Sequence, residues 1–285
     1  MHGIINVYKP TGMSSNFVLT CLKKQCDIKK VGHLGTLDPL ACGVLPVMVN
    51  KGTKLFDFYL NKTKIYRSVF TFGKETDTLD AEGKIVAIKN YIPTEEVILK
   101  AIKQFEGEIS QLPPNFSAKV IGGVKAYNLA RQGKYFELQP KNVYVEYFKL
   151  VKQLTNNSFL FEIKCSSGTY IRSLARDLAK ACDSCAFMSA LIRIKAGEFD
   201  ILTANYVKSL TKDNFIDKIV KIETLLKNLP KIDLDSKFYK QISNGVKISV
   251  TNANVKNCVV ICNKQLIGLG EVKNGILSIT TNLQN

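Results

Sequence analysis

The sequence predicts a main domain of interspersed helices and strands followed by a small β-rich appendage, and three observations carry that reading. First, residues 142–154 and 158–165 are rich in Val, Tyr, Phe and Ile, and Asn156-Asn157 between them marks the turn of an antiparallel pair. Second, residues 169–181 place Ile171, Leu174, Ala175 and Leu178 on one helical side and Arg172, Arg176 and Lys180 off it, the pattern of an amphipathic helix. Third, Leu229-Pro230 interrupts the pattern, and beyond it come short β-like runs with Asn-Gly turns. The boundary is therefore expected at that proline, with a main domain over 1–229 and the appendage over 230–285.

Taken in order, Met1-His2-Gly3-Ile4-Ile5-Asn6-Val7 reads as an opening strand, and Lys9-Pro10-Thr11-Gly12 as a turn. Ser14 or Ser15 then caps a helix to about residue 26, with Val18, Cys21 and Leu22 on its apolar face. Residues 31–45 hold three glycines and a proline without steady period, so they read as a structured loop, where function concentrates. A short helix is expected over 52–60. Residues 64–74 and 83–89 resemble strands joined by the turn-like 77–83 segment, a hairpin signal. Helices are expected over 94–105 and 126–131, the second closed by Gly133, with the Leu112-Pro113-Pro114-Asn115 break between them. Gly168-Thr169 is positioned to cap the helix at 169–181; a strand over 188–194 and a helix over 215–227 complete the main domain. In the appendage, 247–250, 258–262 and 276–280 are β-like, with turns at Asn244-Gly245 and Asn274-Gly275.

Composition narrows the function. The 285 residues are 46% hydrophobic and 22% charged, which suits a folded chain, and the formal net charge of +16 favours polyanionic partners. Charge alone leaves RNA, DNA and acidic membrane surfaces open, as well as a solvated lysine surface, because the lysines are spread along the chain. Apolar runs such as 43–49 and 55–60 are far too short to span a membrane, and no signal peptide is visible, so a cytoplasmic protein with reduced thiols is expected. The eight cysteines are then free. Cys182 and Cys185 form a lone CxxC, and with two histidines in the chain there is no second pair to complete a zinc site. The same shortage weakens any Ser-His-Asp or Cys-His scheme, which would have to use His2 or His33.

The segment Gly32-His33-Leu34-Gly35-Thr36-Leu37-Asp38-Pro39-Leu40 is the most informative. Pro39 drives Asp38 out of helical geometry and the glycines permit close backbone approach to a ligand. Asp38 either projects into a cleft or caps a turn, and the GxxG from Gly32 to Gly35 also suits an RNA-backbone clamp.

The surrounding residues resemble the TruB-type tRNA pseudouridine synthases of bacteria. The likeness runs through Lys9-Pro10-Thr11-Gly12-Met13-Ser14-Ser15, Gly32-His33 to Leu45-Pro46, Lys64-Ile65-Tyr66-Arg67, Gly73 with Thr76-Asp77-Thr78, and Asp80. It continues in Pro113-Pro114, Ser117-Ala118-Lys119, Ala126-Tyr127, Ala130-Arg131 and Gly168-Thr169-Tyr170-Ile171-Arg172. These blocks keep the family's order across about the first 200 residues.

The resemblance implies an α+β catalytic domain of the pseudouridine synthase fold, with a mixed, mainly antiparallel sheet, and a small C-terminal PUA-like domain that binds RNA. It implies isomerisation of a flipped-out uridine in the T-arm loop of tRNA, without cofactor or metal, by a monomer needing no obligate protein partner. Residue by residue, it puts the catalytic carboxylate on Asp38 and its arginine partner on Arg172. Tyr66 falls on the catalytic tyrosine that stacks on the target base and is expected to take part in the proton transfer at C5, Tyr170 and Leu191 on positions lining the uracil pocket, and His33 on the histidine that fills the vacated space. Asp80 is expected to orient loop groups. Leu34 and Cys42 stand where relatives carry threonine, and Ile192 where a basic residue is common after Leu191. A non-catalytic RNA-binding or tRNA-folding protein is the rival reading, but a binder has no need of an acid at 38 paired with Arg172. Pseudouridine synthases acting on ribosomal RNA are disfavoured by the Gly-His-Leu-Gly-Thr-Leu-Asp block.

Overall fold

The computed structural model describes residues 2–60, 62–117 and 119–284, so Met1 of the opening strand and Ala118 of the Ser117-Ala118-Lys119 block lie outside the described residues. Strand β1 (Gly3–Lys9) carries Ile4 into one core and Ile5 and Val7 into another, as expected of a strand covered on both faces. Helix α1 (Ser15–Cys26) starts at Ser14, whose hydroxyl accepts the Phe17 amide at 3.1 Å, and buries Val18, Leu22 and Cys26 against β1. Strand β2 (Cys42–Val49) pairs antiparallel with β1 over its whole length. Residues 31–45 are thus more than a loop, because Val31–His33 adds to the edge of β2 and Cys42 onward is strand.

The central strands are β3 (Lys64–Phe72), β4 (Gly107–Gln111), β5 (Lys141–Thr155), β6 (Ser158–Cys165) and β7 (Ala186–Ala196). The large sheet runs Asn205–Tyr206, β1, β2, β7, β3, β6, β5, β4. All neighbours from β7 to β4 are antiparallel, whereas β2 meets β7 in parallel and Asn205–Tyr206 runs parallel to β1. The sheet is therefore mixed and mainly antiparallel. The pair β5–β6 forms as the sequence suggests, but β3 does not form a hairpin with the segment near residue 85. Ile85–Ile88 pairs instead with Lys74–Thr76, while both edges of β3 are taken by β6 and β7.

Helices α2 (Glu95–Ile102), α3 (Ala126–Arg131) and α4 (Ile171–Ala181) complete this part. Ile98 and Ile102 of α2 and Ile171, Leu174 and Leu178 of α4 meet Phe70, Phe72, Phe148, Phe159 and Phe161 of the sheet in one core. Two helical expectations change. Residues 52–60 are a 3₁₀ turn, Asn50–Leu55, leading into a short α-helix, Phe56–Leu60. Residues 215–227 divide into a 3₁₀ turn, the strand Ile219–Lys221 and a four-residue helical turn, because Ile219–Lys221 pairs with the exposed edge of β1 at Gly3–Ile5.

Beyond Pro230 lies a separate five-stranded sheet of β8 (Lys231–Leu234), β9 (Ile248–Ser249), β10 (Val255–Cys262), β11 (Gln265–Lys273) and β12 (Ile276–Asn282), in the order β8, β10, β11, β12, β9. This β-rich unit is PUA-like. Asn274-Gly275 is a hairpin turn, both residues having positive φ, whereas Asn244-Gly245 ends the short helix Tyr239–Ser243. The unit has its own core around Ile232, Ile242 and Val260, and lends Val259, Leu269 and Leu283 to a core shared with Ile4, Met48 and Leu55. No helix among the described residues is long and apolar enough to cross a membrane.

Candidate active site

Asp38 owes its position to ties on either side of it. Ser15 hydrogen-bonds both the amide and the carbonyl of Leu37, at 2.9 and 3.1 Å. The Pro39 carbonyl accepts the Gly12 amide at 2.8 Å and the Lys9 ammonium at 3.3 Å. Lys9 is fully buried, also donates to the Pro10 and Met13 carbonyls, and is brought down to about 8, chiefly by burial. The Lys-Pro-Thr-Gly turn and the start of α1 therefore clamp the Asp38 loop.

Arg172 reaches Asp38 from the first turn of α4. Its Nε and one terminal nitrogen each lie 3.0 Å from a different Asp38 oxygen, a bidentate pair. The remaining guanidinium contacts are Asp80 at 3.4 Å and the carbonyls of Thr78 and Phe116, so the arginine, 7% exposed, is fully engaged. Asp80 is in turn held by the Thr78 hydroxyl at 2.6 Å and the Glu82 amide at 3.1 Å. Asp80 is thus a second acid on Arg172. The Asp38 side chain is 32% exposed and opens toward the cleft. Burial pushes its carboxyl above the ordinary range and the charge of Asp80 adds to this, while Arg172 pulls it down.

Two adjoining cavities of about 330 and 340 Å³ meet at this pair. His33, Asp38 and Arg172 line both; Tyr66, Tyr170 and Leu191 line the second. All six residues singled out in the sequence thus converge, from the strand before β2, the loop, β3, the residue before α4, α4 and β7. Burial lowers the basicity of His33, with Arg193 as a further cause, which favours its neutral form. Burial raises the Tyr66 phenol, against the opposing charge of Arg193.

Several contributors were given no role by the sequence pattern. Gln111 makes a reciprocal pair of hydrogen bonds with the Tyr170 backbone, at 2.8 and 3.1 Å, and fixes the entry to α4. Tyr170, not Gly168-Thr169, is the residue that precedes the helix, and no side chain caps it. Lys64 and Arg193 are buried in the wall of the second cavity. Arg193 had one signal, two residues from Leu191 in an apolar strand and hence on the same face.

A family model described as TruB family pseudouridylate synthase (N terminal domain) matches residues 23–171. A tRNA pseudouridine synthase B of Clostridium acetobutylicum is 39% identical over 249 residues, covering 87% of this chain and 86% of the relative. The chain belongs to the TruB family of pseudouridylate synthases. A second TruB-family relative, the tRNA pseudouridine synthase B of Caldanaerobacter subterraneus, is 40% identical over 90% of each chain. The fold is shared with a chain of an H/ACA RNP bound to a substrate RNA containing 2′-deoxyuridine, with TM-score 0.70 and 22% identity over 99% of this chain and 85% of the other. A chain from a Cbf5-Nop10-Gar1 complex is similarly related, with TM-score 0.72 and 23% identity over 99% of this chain and 85% of the other. As a TruB-family member the chain is an enzyme, an isomerase of the pseudouridine synthase class.

Against this family, Leu34 is buried in the core shared with the second sheet, and Cys42 sits beside the Tyr8 hydroxyl. Ile192 faces away from the second cavity, which its neighbour Arg193 lines.

Proposed function

We propose that this enzyme converts uridine to pseudouridine in the T-arm loop of tRNA, at position 55, with Asp38 acting at the ribose of a flipped-out nucleotide. The observation that carries the reading is an acid held in bidentate contact with a buried arginine, at the junction of two cavities large enough to admit a nucleotide. Relatives named tRNA pseudouridine synthase B support tRNA as the substrate.

In this mechanism the N1–C1′ bond breaks, uracil turns, and C5 bonds the same C1′. A carboxylate serves either by bonding C1′ or by removing the C2′ proton. Both routes need Asp38 ionised, and Arg172 offsets the cost of holding that charge in a closed site. The target base must leave the stack, at a cost of a few kcal/mol that is least for a loop nucleotide. Tyr66 then stacks on the extruded base, Tyr170 and Leu191 wall the pocket, and His33 fills the vacated space. The reaction is redox-neutral and consumes no donor. The enzyme acts as a monomer in the cytoplasm, and residues 230–285 serve as a separate RNA-holding domain beside the catalytic domain over 1–229.

The test is mass-spectrometric mapping of pseudouridine in a tRNA transcript incubated with wild type or Asp38→Asn. Conversion of the T-arm uridine by wild type alone is expected. Conversion elsewhere, or undiminished conversion by the variant, refutes the assignment.

A further inference from the structure

One wall of the second cavity carries two cations that no step above uses. Lys64 and Tyr66 on β3 and Leu191 and Arg193 on β7 share a sheet face, and Arg193 lies directly opposite Tyr66. Arg193 is 1% exposed and Lys64 6%. Their partners are neutral. Arg193 donates to the Val44 carbonyl at 2.7 Å and to the Gly35 carbonyl at 3.1 Å. Lys64 donates to the Leu60 carbonyl at 3.1 Å, the Lys62 carbonyl at 2.9 Å and the Ser167 hydroxyl. Among the described residues neither cation has a carboxylate within ion-pair distance. The acidic group across from Lys64 is the thiol of Cys165, which burial pushes up to about 11, so it is uncharged at neutral pH.

Burying an unpaired charge costs several kcal/mol. Lys64 registers that cost, brought down to about 8 by burial first and by Arg193 among the further causes. A cavity wall whose cations have no acid paired to them is complementary to an anion that arises beside it during reaction.

We propose that Lys64 and Arg193 form a positive seat for the uracil anion between cleavage of N1–C1′ and formation of C5–C1′. This rests on the isomerisation proposed above. When N1–C1′ breaks, its electron pair stays on N1 and spreads over the carbonyl oxygens of the base. Meanwhile C1′ gains a bond to the Asp38 carboxylate, or C2′ gives its proton to it. The base turns, C5 donates its electron pair to C1′, and the Asp38 oxygen leaves or the proton returns to C2′. Finally C5 loses its proton and N1 gains one, so the nucleotide is isomerised with no atom gained or lost. Two fixed cations hold the base through this turn because their attraction is not tied to one oxygen, whereas a single directional hydrogen bond would resist rotation. Lys64 and Arg193 act on the base directly, by charge across the cavity they both line.

The experiment compares single-turnover cleavage of N1–C1′ in tRNA carrying uridine or 5-fluorouridine at the target. Fluorine withdraws electrons and stabilises the departing anion, so a site lacking its cation is missed less. Lys64→Gln, which retains a donor for the carbonyls, is expected to slow the uridine substrate about 30-fold or more and the 5-fluorouridine substrate less than about 5-fold, with Lys64→Arg keeping the wild-type ratio of the two rates. Equal slowing of both substrates at unchanged melting temperature overturns the proposal. Should Lys64→Gln fail to fold, Lys64→Arg and Arg193→Lys carry the comparison. Both retain charge and must keep the wild-type ratio of the two rates, and a changed ratio overturns the idea. A wild type that leaves every tRNA uridine unchanged means the isomerisation itself is misassigned, and the seat falls with it. A working wild type with equally slowed variants removes the seat alone.

Discussion

Arg172 stands off the apolar stripe of its helix, the position of a surface arginine, yet it is buried because α4 turns that side toward the cleft and two acids. This pair sets the predictions made at the scale of single residues. Asp38→Asn removes a group that is neither nucleophile nor base once amidated, so turnover should drop below about one percent of wild type while tRNA affinity persists. The Asp38 carboxyl is raised in the folded state, so the folded chain holds that proton more tightly than the unfolded one. Ionised Asp38 therefore subtracts from stability above its raised pKa, and that cost fades as pH falls from the raised value to the ordinary carboxylate value of the unfolded chain. The melting temperature of Asp38→Asn at neutral pH should equal or exceed that of wild type, because Arg172 keeps Asp80 and two carbonyls. A clear drop would count against a strained acid. For activity the sign is simple, since the ionised form works. The acidic limb of kcat/KM should lie above the ordinary carboxylate range and move upward in Arg172→Lys, which loses the bidentate fork and about a hundredfold in rate. A pH profile flat through that range would contradict the raised carboxyl.

At the scale of elements, the contact that sets the site is the short parallel junction of β2 with β7, where Gly43 lies against Arg193. Gly43 has φ of +108°, and a Cβ there would come within 2.3 Å of the Arg193 carbonyl oxygen. Gly43→Ala should therefore cost at least about 2 kcal/mol by denaturant unfolding, combining backbone strain with displaced strands. It should also slow turnover, because β7 carries Leu191 and Arg193. A variant as stable as wild type would mean the junction yields freely. Elements made by local pattern were legible in the sequence: α1 with its Ser14 cap, the β5–β6 pair joined by Asn156-Asn157, and the body of α4. Elements made by pairing were not. Ile219–Lys221 lies inside the run 215–227 expected as one helix and becomes strand because β1 offers an open edge to its β-branched Ile219 and Val220. Residues 85–88 pair with 74–76 because β3 has no edge left to give.

For the whole molecule the net charge of +16 is the governing quantity. A surface that neutralises several phosphates releases counterions, so tRNA affinity should fall about 10³-fold or more between about 50 and 200 mM salt, as filter binding or fluorescence titration will measure. A flat response would exclude phosphate tracking. Local flipping further predicts that an isolated T-arm hairpin is modified nearly as fast as whole tRNA, with His33→Ala slowing extrusion, read by a fluorescent base analogue, more than it weakens binding. An inert hairpin would shift recognition to the tRNA elbow or acceptor. The second sheet is tied to the first through Val259, Leu269 and Leu283 against Ile4, Met48 and Leu55. Its contribution is therefore best probed by surface charge changes, since deletion would bare that core.

The sequence by itself determined the reaction class and marked the six residues that converge on the cleft, because their blocks match the family in order. The tertiary structure alone decided that Asp80 shares Arg172 with Asp38, that Gln111 holds Tyr170, that Lys9 clamps the Pro39 loop, and that Lys64 and Arg193 stand unpaired by acid in the cavity wall. The physical reason is that each of these depends on what lies across a strand pair or beneath a loop. A lysine or arginine in an alternating strand reads the same whether its neighbour across the sheet is water, a carboxylate or a carbonyl.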